Sequence, residues 1–339
     1  MTLRTYILKR VIISISILFL VASINFVIFA ASKGDPVRYL LKPGMTAEQK
    51  RLMEDAYGLN DPYWLKYVKS IRNQFTFGIV PPYFGYSSQT GTWVADGLWP
   101  RLSITVFLLG SALIGTIILG IPTGIFAASK RGSKMDVAVV TSALFTHGVP
   151  AFFIQLMAVF ILTFVLVHYN VTVFPLTAPI DAQKLAHLSG LALYAQIAYH
   201  MTLPIITLVL VGFGAWALYI RNMLIDALTQ DYVVTARAKG LSERTILYKH
   251  AFKSILPPVA TLVALSIPGI VTGAIITETI FKINGIGSWY ITALQENVAD
   301  YAVAQAVLFV YAALVIMCNL IADLLYGVLD PRIRVGMRR

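Results

Sequence analysis

Six apolar runs dominate this sequence, at about 11–31, 102–129, 136–167, 201–221, 257–280 and 302–326. Each is long enough to cross a bilayer, which takes a helix of roughly 20 residues. In hydrocarbon every backbone N–H and C=O must be satisfied internally, and for single runs of this kind that means helices. The sequence therefore predicts an all-α integral membrane protein with six transmembrane helices. Composition agrees: 58% of the 339 residues are hydrophobic and 13% charged, against about 45–50% and about 25% in soluble domains. The first run is longer than the roughly 7–15 apolar residues of a signal peptide, so a retained span is expected there.

A net charge of +11 would ordinarily raise nucleic acid as a partner. The cations instead cluster in alternate short connections, which is the signature of membrane topology. Arg4, Lys9 and Arg10 precede the first run, and Lys130, Arg131 and Lys134 fill the second connection. Arg237, Lys239, Arg244, Lys249 and Lys253 lie in the 222–256 loop, and Arg332, Arg334, Arg338 and Arg339 in the tail. The intervening short connections hold only Lys184 and Lys282. Both termini and the 222–256 loop are thus expected in the cytoplasm of a multi-pass protein of the plasma or inner membrane, in contact with lipid and not with nucleic acid.

Three regions follow: residues 1–31 as N-terminus and first span, 32–101 as an extracellular segment, and 102–339 as the transmembrane core. In the outer segment Thr46 and Gln49 have capping-box spacing. Trp64, Tyr67, Val68 and Ile71 share a helical face there, either as part of a small folded cap or as an interfacial aromatic belt.

The 222–256 loop is the least membrane-like part of the second half. Residues 231–239 lack helix breakers, and Gly240 suits the left-handed position that ends a helix. Ser242 is placed to cap a second helix with Glu243 in its first turn. Ile246, Leu247, Ala251 and Ile255 fall near one face of that helix, with Arg244, Lys249 and Lys253 outside it. Pro257 and Pro258 mark re-entry into the membrane. The sequence shows no core of the loop's own for this ridge, which leaves two destinations: the lipid surface or a groove on another protein.

"DYVVTARAKGLSERTILYKHAFKSILPP" resembles the conserved cytoplasmic loop (the EAA loop) of permease subunits in ATP-binding-cassette importers. It is most similar to the dipeptide/oligopeptide/nickel branch. "KGDPVRYLL", "YGLNDPYWLKYV", "NGIGSWYITALQENVADYAVAQA" and "NLIADLLYGVLDPRIR" resemble that branch in the same order, so the resemblance spans essentially the whole chain. Two features depart from the general pattern. Val234, Thr235 and Ala236 stand where Glu-Ala-Ala is usual, and Leu256–Pro257 lies further from Gly240 than in sugar or phosphate permeases.

The resemblance implies the six-helix fold of a type I importer with both termini inside, and a loop that docks in a cleft of an ATPase subunit. It implies that Ala236, Gly240, Leu241 and Ser242 form the contacting corner, with Arg244 and Lys249 at its rim or serving only topology. The implied partners are a homologous second permease, two ATP-binding subunits and an external substrate-binding protein. ATP and magnesium would be bound by the ATPase subunits, and this chain would carry no cofactor and no enzymatic activity. The branch's substrates are short peptides, with oligosaccharides such as cello- or xylo-oligomers as an alternative. Outside this class, a channel or membrane scaffold with the loop on anionic lipid remains open.

Motifs that would give the chain its own chemistry are missing from the sequence. It contains no GxxxxGK[ST] phosphate loop, no HExxH or Cys/His metal spacing and no GxSxG elbow. Cys318, the only cysteine, allows no internal disulfide. The spans hold few ionisable groups, unlike those of ion-coupled carriers. Candidate pathway residues are His147 and Pro150, near a weakened stretch of the third run, and Pro268 and Gly273, mid-way along the fifth. Glu278 joins them: it lies about 21 residues past Pro257, roughly 32 Å along a helix and so at the outer interface. His147 and Gln155 each have a purely structural alternative, as buried polar groups paired with a neighbouring helix, and Glu278 has one as a structural ion pair or cap.

Overall fold

The computed structural model describes residues 3–31, 61–80, 84–165, 168–169, 191–295 and 299–329. Helices carry nearly all of it. In chain order they are α1 (Leu3–Ala31), α2 (Tyr63–Phe75), α3 (Val94–Ser129), α4 (Lys134–Gly148), α5 (Ala151–Val159), α6 (Leu191–Leu228), α7 (Asp231–Ala238), α8 (Glu243–Thr245), α9 (Phe252–Ile280), α10 (Ile286–Gln295) and α11 (Tyr301–Leu329). The chain packs as two units. One contains residues up to Thr105 with Asn284–Leu324, and the other Val106–Ile283.

Among the described residues four helices are long and apolar enough to cross a membrane: Thr5–Phe29, Val94–Ser129, Ala195–Leu228 and Tyr301–Leu324. A fifth crossing arises if Lys134–Gly148 and Ala151–Leu162 count as one broken span, bent by 94°. The third run is therefore not the single straight helix its length suggests. Pro150 cannot donate to the ladder and takes an extended conformation (φ −55°, ψ 134°) that separates α4 from α5. The fifth run lies in α9, a 29-residue helix; the side chains of 264 and 267–274, including Pro268 and Gly273, lie outside the described residues. The helix passes through Pro257 and Pro258 without ending. Thr46, Gln49 and the closing "DPR" also lie outside the described residues.

Within the first unit α1 runs beside α2 and α11. Two of its serines bond back inside the helix, Ser16 to Ile12 O at 2.9 Å and Ser23 to Phe19 O at 2.8 Å, which keeps their hydroxyls satisfied against an apolar surrounding. Asn25, nearly inaccessible, donates to Gln74 Oε1 at 3.1 Å and to Gln305 O at 2.9 Å. At the other end of α1, Arg10 pairs with Asp323 at 2.9 Å and the Tyr6 hydroxyl donates to the Asp323 carbonyl. Asp323 thus binds α11 to α1. The α2 helix forms as the sequence predicts, yet Trp64 and Val68 point outward. Tyr67, Ser70 and Gln74 face the partner helices, with Tyr67 against Ser23 and Phe26. Asn25, Ser70 and Gln74 bond with one another there while Phe75 packs on Phe19 and Phe309, so the face α2 turns to its partners mixes polar and aromatic groups.

In the second unit α6 is clasped by glycine-mediated contacts on two sides. A Cβ on Gly124 would lie 2.7 Å from Ile220 Cβ, and one on Gly120 2.5 Å from that of Trp216. Gly214 stands against the Ala143 carbonyl of α4 in the same way. Bare backbones let α3, α6 and α4 approach more closely than side chains would permit, which is the ordinary packing device of membrane helices.

Candidate functional site

The 229–256 loop folds into two arms joined at a corner. α7 carries Asp231 in its first turn and Arg237 in its last, each favourable with the helix dipole. It closes with the two bonds of a Schellman motif: Gly240 N–H donates to Arg237 O at 2.9 Å, and Leu241 N–H to Ala236 O at 3.3 Å. Gly240 has φ +75°, the left-handed conformation a glycine adopts without steric cost. Ser242 then caps the second arm, its Oγ accepting from Thr245 N at 3.3 Å, with Glu243 in the first turn. These are the caps the sequence predicts. The second arm continues through a π-helical turn, Ile246–Ala251, into α9.

Three contacts tie the arms together. At the tip the Arg237 fork meets both oxygens of Glu243, Nε at 2.7 Å and Nη2 at 3.1 Å. The pair holds the Glu243 carboxyl below its ordinary value and raises Arg237, through the shared hydrogen bond first and charge attraction second. In the middle Val233, Ala236 and Ile246 form a small closed core. At the base the hydroxyls of Tyr232 and Ser254 bond at 2.9 Å.

The ridge has a different fate from the one expected. Leu247, Ala251, Ile255 and Val259 are buried within this chain, against Ile125 and Ala128 of α3 and Trp216, Ile220, Leu224 and Ala227 of α6. Ile246 is buried against α7. The loop does have a core of its own, because α6 continues past its apolar run to Leu228 and the end of α3 lies alongside it. Burial of each large ridge side chain stabilises this root by about 1.5–3 kcal/mol. Ala236, expected at the contacting corner, faces inward at 5% exposure; its size lets the arms close. Gly240, Leu241, Ser242, Arg244 and Lys249 are all exposed. Exposed Val234 and Tyr248, which sequence patterning alone did not single out, join them. Their apolar character is visible in the sequence, but which helix face points outward is not.

The pathway candidates are scattered. His147 and Pro150 are exposed at the 94° corner. Gln155 is fully buried and donates through Nε2 to Thr277 Oγ1 at 2.8 Å, while its Oε1 has no hydrogen-bond partner. This matches the structural alternative for Gln155, a group paired with a neighbouring helix. Glu278 does not reach a surface: it is 0% exposed, and its carbonyl accepts from Ile283 N at 2.8 Å as α9 ends. Arc length along the helix says how far Glu278 lies from Pro257 but not which side of α9 it takes, and the side chain is turned into the protein. Among the described residues no cluster of His, Cys, Asp and Glu has metal-binding geometry.

Several helices long and apolar enough to cross a membrane, with a two-armed loop braced at its root, describe a multi-pass membrane component. Comparison with known families makes this specific. Residues 120–335 match the binding-protein-dependent transport system inner membrane component, and residues 3–109 match the N-terminal family of the same membrane components; the chain belongs to this family. It is 31% identical over 332 residues to the oligopeptide transport system permease protein AppB of Bacillus subtilis (strain 168), covering 98% of this chain and 99% of the relative. It is also 31% identical over 345 residues to the dipeptide transport system permease protein DppB of Escherichia coli (strain K12), covering 97% and 98%. The DppB of Lactococcus lactis subsp. cremoris (strain MG1363) is 29% identical over 330 residues, covering 97% and 99%.

Proposed function

We propose that this chain forms half of a transmembrane pathway for short peptides, powered by separate ATPase subunits that grip the 229–256 loop from the cytoplasm. The observation that carries this reading is the braced corner. Its apolar ridge is spent on internal packing, yet Val234, Leu241 and Tyr248 remain exposed among Arg244, Lys249 and Lys239. Such a surface fits a cleft with an apolar floor and an acidic rim. A loop with its own core moves as a body, so a push at the tip reaches α6 and α9 instead of being absorbed.

In this reading six helices cross the membrane, α4–α5 and α9 supplying the third and fifth, and both termini are cytoplasmic. A homologous second permease completes the pathway, an external binding protein delivers the peptide, and ATP with magnesium is held by the ATPase subunits. The full-length similarity to oligopeptide and dipeptide permeases supports peptides as the cargo. His147 and Pro150, exposed at the broken span, are the proposed pathway residues.

Reconstitution of the chain with its second permease, ATPase pair and binding protein in proteoliposomes tests this. ATP-dependent uptake of labelled tri- to pentapeptides is the expected result. Uptake of cello-oligosaccharides in their place would overturn the peptide assignment, and a pore open without ATP would overturn the importer reading.

A further inference from the structure

The ion pair at the root of the loop is invisible to sequence patterning. Arg221, near the end of α6, grips Asp136 with both branches of its fork, Nε to Oδ1 at 2.6 Å and Nη2 to Oδ2 at 2.8 Å. Asp136 is 2% exposed and sits in the first turn of α4. Its Oδ2 also accepts from Gly132 N–H at 2.8 Å, and its own N–H donates to the capping Ser133 Oγ at 3.2 Å. One carboxylate therefore closes the 130–133 turn, starts α4 and holds α6.

The placement matters more than the strength. Ile220, the residue before Arg221, is fully buried in the core that receives Leu247, Ala251 and Ile255 of the loop. At one level of α6, then, one side chain faces the loop's second arm and the next grips α4. Gly214 lies against α4 about two turns away, leaving no slack between the helices. The far end of α4 is the 94° corner that exposes His147 and Pro150. A displacement of the loop carries α6 with it through the shared core. It carries α4 only so far as α4 is held to α6, and the fork is the one directional, charge-assisted bond between them at the loop end among the described residues.

We infer that Asp136 and Arg221 are positioning residues of the transport cycle: they deliver movement of the ATPase-facing loop to the broken span, where the pathway opens. The inference rests on the proposed coupling role of the loop. Breaking the pair leaves the loop attached to α6 and able to respond to nucleotide, while α4 and its corner lag behind.

The test measures peptide uptake and ATP hydrolysis together in proteoliposomes holding the complete transporter. Asp136→Asn keeps the shape and an acceptor for Gly132 while removing the charge. Arg221→Lys keeps the charge and loses the fork. Both are expected to hydrolyse ATP at near the unsubstituted rate while uptake per ATP falls about tenfold, the upper range of coupling changes produced by residues that touch neither ligand. Arg221→Gln should fall furthest; if it fails to accumulate in the membrane, the two conservative variants still decide. Hydrolysis and uptake declining in proportion would mean a merely structural pair and would overturn the inference, as would no change in either. Leu241→Asp at the loop tip separates the two readings. If it uncouples and the clamp variants do not, only the clamp fails; if it too leaves uptake and hydrolysis in step, the coupling role of the loop fails with it.

Discussion

Arg237 spans the Gly240 corner to hold Glu243, with both branches of its guanidinium on both carboxylate oxygens. The bond links the last turn of one arm to the first turn of the next, across Gly240, where a Cβ would meet nothing within 4 Å. Both side chains are exposed, so the strut sets an angle more than it adds stability.

Its pH dependence has a definite sign. Glu243 is held below its ordinary value by Arg237, so the strut is intact above the ordinary carboxylate pKa and is lost as pH falls through the depressed folded value. Arg237 stays charged throughout. Hydrogen exchange over residues 238–245, corrected for its intrinsic pH dependence, should show protection that is flat above pH ~5 and declines below it. Glu243→Gln should remove that decline. A wild-type decline centred at or above the ordinary carboxylate value would contradict the geometry.

Gly240 has φ +75° and open space where a Cβ would stand, so substitution there tests conformation and charge separately. Asn visits the left-handed region readily; Gly240→Asn should retain uptake. Gly240→Asp has nearly the same backbone tolerance but places a negative charge on the face proposed to meet an acidic rim. It should insert normally and hydrolyse ATP without matching uptake. Equal uptake by the two variants would remove charge from the account of docking.

Thr277 is the only hydrogen-bond partner Gln155 has among the described residues. Thr277→Val leaves both ends of a buried amide unpaired, at a cost of about 1–3 kcal/mol. Adding Gln155→Leu removes the stranded group, so the double variant should unfold at a higher temperature in detergent than Thr277→Val alone. Additive losses would show that the amide finds another partner.

The close approach of α4 and α6 at Gly214 makes a further contrast. A Cβ there would collide with the Ala143 carbonyl, a backbone atom that cannot swing away. Gly214→Ala should destabilise by about 1–3 kcal/mol. Gly110, where a Cβ would meet nothing within 4 Å, should tolerate alanine or gain about 0.5–1 kcal/mol from it. Thermal unfolding of the two variants side by side checks the difference, and similar midpoints would mean the helices separate easily at Gly214.

Local chemistry was readable from the sequence wherever the deciding atoms are neighbours in the chain. The Schellman closure at Gly240, the Ser242 cap and the existence of α2 need only a few consecutive residues, and all are found. Long apolar runs likewise announced membrane helices, because hydrocarbon admits few alternatives for backbone polar groups. Direction in space was another matter. Amphipathicity said that Leu247, Ala251 and Ile255 would be buried; only the tertiary arrangement, with α6 and α3 extending beside them, decided that this chain buries them. Counting residues gave Glu278 a height along α9, but the helix's rotation put it inside. Asp136 and Arg221 are 85 residues apart, and in one dimension each reads as an ordinary polar residue at the end of an apolar run. Their fork exists because glycine contacts bring α4 and α6 close enough to align it, and no periodicity records an alignment between helices.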